Sequence, residues 1–255
     1  MVDGNTTMAD GSTLDMKAFF PPGIDRDLNS LNFHLGNDID NYVFTVENNS
    51  QFPKRASLLS LYDGGSVQGR LLGEIRKPIE MTERYEEIWI AVRNLITQRM
   101  TTVIMTRHTC LGLTFFRFKM HIGYGIETFE WRHSKGSEVH SIQPHPHADG
   151  YKLVRMRRCG PGGGLGGGRA ERQHGEASDG KEIVAVWATM TRLGKKKPPF
   201  NFQLCGSGAT DEMGGEFQPV ALLTALKMYS TYNAYMTVPV PKKRRAGAAM
   251  ANLAI

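Results

Sequence analysis

The sequence predicts a mainly β protein with one buried helix near its end. Two observations carry that expectation. Short runs of alternating apolar and polar residues, parted by Gly, Asn and Asp turns, fill most of the chain. Then comes the stretch PVALLTALKMYSTYNAY, Pro219 to Tyr235, with Val220, Leu222, Leu223, Leu226, Met228, Tyr229, Tyr232 and Tyr235 spread around nearly the whole helical circumference. A helix that is apolar all round must be enclosed in protein or in lipid. Its 17 residues rise about 26 Å, somewhat short of a bilayer core. Lys227 falls mid-helix, which is costly in lipid, and Ser230, Thr231 and Asn233 lower the apolarity further. A core helix wrapped by a sheet is therefore the expectation.

The strands follow in order. Residues 1–17, rich in Gly, Asp, Ser and Thr, read as a disordered tail. Leu31–Leu35 and Tyr42–Val46 alternate around an Asn37-Asp38 turn. Ala56–Tyr62 ends at Asp63-Gly64-Gly65, a hairpin signal, and Val67–Ile75 follows with Gly69 and Gly73 leaving room for bends. The rhythm breaks at Pro78. Tyr85, Ile88, Trp89, Val92, Leu95, Ile96 and Met100 match an i, i+3, i+4 series, so an amphipathic helix is expected from about Thr82 to Met100. Strands resume with Leu113–Ile122, Glu127–His133, Tyr151–Arg157, Ile183–Met190 and Phe200–Leu204. Between two of them, the glycine-dense segment 160–180 reads as a mobile loop. Residues 239–255, with Lys242-Lys243-Arg244-Arg245 and an alanine-rich end, read as a tail.

Composition bounds the function. At 255 residues, 40% hydrophobic and 22% charged, the chain is globular in character, and its net charge of +6 favours anionic partners. Three cysteines (Cys110, Cys159, Cys205) lack metal-type spacing, and the acidic N-terminal stretch has no apolar signal region. Both point to a reducing, intracellular setting, cytoplasmic or at a membrane surface. The Lys242–Arg245 run reads equally as a nuclear-localisation signal, a membrane-surface tether or a soluble tail.

Three stretches carry a family likeness. They are YVFTVENNSQFPKRASLLSLYDGGSVQGRLLG (42–73), HIGYGIETFEWR (121–132), and the closing series GYKLVRM, GKEIVAVWATM, FNFQLCG and EFQPVALLTALKMYSTY. In order and spacing the chain resembles the tubby C-terminal-like superfamily, which includes the LURP-one-related proteins and the phospholipid scramblases. The resemblance covers about 150 residues. It implies a closed antiparallel barrel of about twelve strands threaded by the C-terminal helix, spanning residues 18–238. Closure would remove exposed strand edges. The segment 79–111 has no counterpart in the family and reads as a helical insert, or as translated non-coding sequence. The long 160–180 loop is a second departure. Neither the phosphoinositide-pocket residues of true tubby proteins nor the acidic calcium segment of scramblases is matched.

Reactive motifs are weak. His140, His145 and His147 sit in HSIQPHPH, where Pro144 and Pro146 hold the segment extended and no Cys or acidic cluster adjoins, so a polar turn is expected instead of a zinc site. GPGGGLGGGR lacks the Gly-Lys-Ser/Thr of a phosphate loop. Cys159 and Cys205 have no paired histidine in view, and Ser207 in Cys-Gly-Ser-Gly-Ala departs from the Gly-x-Ser-x-Gly elbow. The chain therefore reads as non-enzymatic and without a cofactor. Basic residues weigh more. Arg117 and Lys119 share one strand face, Arg132 lies on the polar face of the next strand, and Lys152, Arg155, Arg157, Arg158 and Lys195-Lys196-Lys197 follow. Aligned on neighbouring strands, Arg117, Lys119, Arg132, Lys152, Arg155, Lys195, Lys196 and Lys197 would form a cationic patch for lipid headgroup phosphates or phosphoinositides. The competing expectation is a solvated exterior on a protein-interaction scaffold. Scramblase-like activity is a third. Nucleic acid is not expected, because most aromatics alternate to the core side and leave no stacking platform.

Overall fold

The computed structural model describes residues 15–19, 32–38, 41–49, 57–76, 87–94, 97–110, 112–161, 166, 175–190 and 200–237. Its strands are β1 (Asp15–Phe19), β2 (Asn32–Asp38), β3 (Asn41–Asn48), β4 (Ser57–Asp63), β5 (Leu71–Arg76), β6 (Glu87–Arg93), β7 (Met100–Cys110), β8 (Leu113–Ile122), β9 (Gly125–Ser134), β10 (Ala148–Cys159), β11 (Lys181–Met190) and β12 (Asn201–Leu204). The helices are α1 (Ser137–Ile142) and α2 (Phe217–Thr237), and two short 3-10 turns, Gly206–Ala209 and Asp211–Met213, lead into α2. The protein is mainly β, as the alternating runs predict.

From β2 to β12 every strand pairs antiparallel with the next in chain order. The short β1 pairs on one side with β12 (Asp15↔Gln203, Met16↔Phe202, Lys17↔Asn201) and on the other with β2 (Lys17↔Gly36, Ala18↔Leu35, Phe19↔His34). Residues 15–17, expected in a disordered tail, thus lie on a strand between the two ends of the sheet.

A second correction concerns the helix expected at about 82–100. Residues 87–93 and 100–110 are strands β6 and β7, paired in sequence between β5 and β8. They are members of the sheet, not an insert. Ile90 and Val92 of β6 and Val103 and Met105 of β7 are buried in the main core. Strand alternation sends residues two apart to one face. The run EIWIAV is rich in β-branched and aromatic residues, which decides for strand where an apolar run also fits a helical period.

The helix α2 is enclosed as its composition demands. Val220, Ala221, Leu222, Leu223, Thr224 and Ala225 are each 0% exposed, a run covering the whole circumference. Its neighbours come from two separate arcs of the sheet. On one side it packs on β4, β5 and β6, where a Cβ on Gly73 would lie 3.0 Å from Leu223 Cδ1 and 2.9 Å from the Ala91 carbonyl oxygen. On the other, Phe217 meets Phe129 (ring centroids 5.3 Å apart), Thr224 accepts from Trp131 Nε1 at 2.9 Å, and Tyr229 meets Trp187 and Phe200 at 6.1 and 5.0 Å. Phe129 and Trp131 follow one another on one face of β9, so the first two turns of α2 run alongside that strand. Pro219 sits in the first turn, where its missing N–H has no intrahelical partner to lose. Among the described residues no helix is long and apolar enough to cross a membrane.

A smaller core lies on the outer face of β10 and β11. Val139 and Ile142 of α1 cover Ala148, Val154, Ile183, Val186 and Ala188, with Ala177. HSIQPHPH is therefore a short helix and a turn, not a polar turn alone. The described end of the glycine-dense segment is also fixed: Ala177 is fully buried, Ala177 N donates to the Lys181 carbonyl and Ile183 N to the Gly175 carbonyl, each at 2.8 Å. The expected tail 239–255 and residues 162–165 and 167–174 of the loop lie outside the described residues.

Candidate functional site

Of the eight cations predicted from sequence, four meet carboxylates. Arg117 and Arg132 converge on Glu130, each at 2.7 Å, and Arg132 also reaches Asp179 at 2.9 Å. Lys152 is buried beneath α1 and donates to Glu138 Oε1 at 2.9 Å. Burial pushes the Glu138 carboxyl up, but hydrogen bonds from Ser134 and Lys152 outweigh it and hold the group below its ordinary value. Arg155 is 6% exposed, and its guanidinium serves Glu127 (Nη2–Oε1 2.7 Å), Glu212 (2.7 Å) and Ser207 Oγ (3.0 Å). Glu127 and Glu212 are held low, first by the hydrogen bonds from Arg155. Lys195, Lys196 and Lys197 lie outside the described residues. Only Lys119 of the set is exposed without an ion pair among the described residues.

The Arg155 cluster closes one rim of the sheet. Successive antiparallel strands reverse direction, so the β4–β5, β6–β7, β8–β9 and β10–β11 connections share that rim. The 3-10 turns after β12 lie there too, tied by Ser207 and Glu212 to Arg155, and so does the start of α2, where Asn94 bonds Glu216.

Outside this cluster the same rim offers a different surface. Arg99 on the β6–β7 turn and Arg157 at the end of β10 are exposed and, like Lys119, make no ion pair among the described residues. Apolar side chains stand beside them. Tyr124 is 111% exposed at the tip of the β8–β9 hairpin, Ile126 is 60% exposed, and Met100 and Ile104 are also exposed. Met105 faces Phe118 in register, so Ile104 and Lys119, one step along each strand, both project from the outer face. His121 and Ile126 are cross-strand partners. Arg157 Nη1 lies 3.3 Å from where a Gly125 Cβ would stand, which puts its charge against the hairpin. Among the described residues, Leu113 is the exposed large apolar residue that departs from this grouping, at the opposite rim on the β7–β8 turn. Sequence reasoning missed Arg99, Tyr124 and Ile126, and it included Arg157 only as one basic residue among several. The Gly123-Tyr124-Gly125 turn was the available signal, since an aromatic at the tip of a two-residue loop has no core to enter.

The weaker motifs meet ordinary partners. Ser207 Oγ donates to Glu182 Oε2 at 2.9 Å and its N donates to Oε1 at 2.8 Å, so its neighbours are a carboxylate and Arg155. The rings of His145 and His147 lie 5.5 Å apart, and no cluster of metal-ligating side chains occurs among the described residues. Burial first, then Glu138, pushes the Cys205 thiol up to about 12. No protein-family model, curated protein or solved structure matches the chain.

Proposed function

We propose that this protein is a non-enzymatic, tubby-like barrel, closed through β1, that associates peripherally with anionic membrane surfaces through the rim carrying Arg99, Lys119, Arg157, Tyr124 and Ile126. One observation carries the reading: exposed cations that make no ion pair among the described residues share that rim with exposed large apolar side chains, while Arg117, Arg132, Lys152 and Arg155 are neutralised by carboxylates. Charge of this kind attracts acidic headgroups at about 1 kcal/mol per residue near the surface. Apolar side chains beside it gain from leaving water.

Co-sedimentation with phosphatidylcholine vesicles, with and without phosphatidylserine or phosphoinositide, tests this. Binding is expected only with the anionic lipids, weakening as salt rises. Lys119→Ala and Arg157→Ala should each weaken it about fivefold, the equivalent of about 1 kcal/mol. Equal sedimentation with neutral and anionic vesicles, or none with either, would overturn the reading. Alanine replacement of Lys195–Lys197 in the same assay decides whether that run contributes. A protein-interaction scaffold without lipid binding is the second reading, favoured by Leu113, which is 73% exposed at the opposite rim.

A further inference from the structure

Resting on that reading, we propose that the β8–β9 hairpin is a membrane-inserting tip. Tyr124 and Ile126 enter the interfacial layer, Lys119, His121 and Arg157 stay among the headgroups, and surface charge is read instead of any one headgroup. The hairpin is built as a rigid projection. Ile122 pairs with Gly125, leaving a two-residue turn, Gly123-Tyr124. Gly123 has φ +56°, the left-handed backbone that glycine adopts at the first position of a II′ turn. Behind the turn Met120 and Ile122 are anchored in the main core, and Glu127 is locked to Arg155. The tip is therefore ordered before it meets a membrane, and binding has little conformational entropy to remove.

The side chains suit an interface. Tyrosine combines an apolar ring with a polar end and concentrates at the headgroup level of bilayers. Ile126, the second residue of β9, supplies aliphatic surface. Two carboxylates of β9, which would repel acidic lipid, are already engaged: Glu127 by Arg155 and Glu130 by Arg117 and Arg132. Lys119 projects from the outer face of β8, whereas Arg157 comes from the end of β10 on the other side of the hairpin. The charges flank the tip and do not converge on a shared point, the arrangement for a charged sheet of lipid and not for one phosphorylated ring.

The full-length chain tests this with Tyr124→Trp and phosphatidylcholine–phosphatidylserine vesicles carrying bromines at shallow or deep acyl positions. The parent protein, with Trp89, Trp131 and Trp187, supplies the baseline. The expected result is a blue-shifted emission on binding, quenched more by shallow than by deep bromines. Binding without shift or quenching would overturn the insertion. A Tyr124→Ser, Ile126→Ser double variant should partition at least tenfold more weakly while its thermal melting is unchanged; undiminished partitioning would also overturn it. Soluble inositol hexakisphosphate should displace the protein no better than sodium chloride of equal ionic strength, and stronger displacement would assign the charge to a phosphate pocket instead. If the parent chain ignores anionic vesicles altogether, the membrane reading itself falls. If the parent binds and the variants bind equally, only the insertion does.

Discussion

Arg155 shows what a single side chain decides here. It is buried with Glu127 and Glu182 and bridges to the exposed Glu212. Removing one member of a buried pair leaves the other charged and uncompensated, at a cost of about 3–5 kcal/mol. Arg155→Ala should lose about that much stability at pH 7 in urea titrations. The pH dependence follows from the carboxylates. Glu127 and Glu212 are depressed in the folded state, first by Arg155. Their stabilisation is therefore present above the unfolded value of about 4.3 and is lost as pH falls through the lower folded value. The gap between parent and variant should narrow at about pH 3; a gap independent of pH would contradict the pairing. Cysteine reactivity gives a second test. Cys110 and Cys159 are exposed, whereas the Cys205 thiol is pushed up to about 12 by burial and Glu138. Alkylation of the native protein at pH 8 should label the first two and spare the third; equal labelling would count against the buried thiol. The sequence displayed every cation in this molecule but could not display its partners. Arg155 and Lys152 look like surface charge in the chain and become buried only once Glu127, which precedes Arg155 by 28 residues, and Glu138 are brought across the sheet.

At the scale of elements, most strands were legible because their alternation is plain. The segment 82–100 was not, because Ile88, Trp89, Val92 and Met100 satisfy a helical period by coincidence. Only pairing with β5 and β8 settles it. β11 held an unread clue of another kind. Its run IVAVWAT is buried throughout, and a strand apolar on both faces needs a cover on each, which here are α2 inside and α1 outside. Beside the Phe129–Phe217 contact, a hydrogen bond from Trp131 Nε1 to Thr224 Oγ1 joins β9 to α2, with both residues 0% exposed. Thr224→Val keeps the shape and removes the acceptor, stranding a buried donor at a cost of about 1–3 kcal/mol. Trp131→Phe should then cost less in the Thr224→Val background than in the parent, a coupling that a double-mutant cycle measures. Strict additivity of the two substitutions would contradict the bond.

For the whole molecule, the helix Phe217–Thr237 was legible because a helix apolar on all sides must be covered by the rest of the protein to stay in water. The rim's character was not, because it arises where several chain connections meet. Helix and rim are one construction, since α2 starts beside the Arg155 cluster and the hairpin projects from strands that pack on its flank. The proposed barrel stands or falls with the enclosure of α2. Native-state hydrogen exchange of the backbone amides from Ala221 to Tyr229 tests it directly. Enclosure predicts exchange only through global unfolding, with an opening free energy equal to the stability from denaturant titration. Exchange through local opening well below that value, while the amides of β9 and β11 stay protected, would show a helix docked on the sheet and would contradict the account.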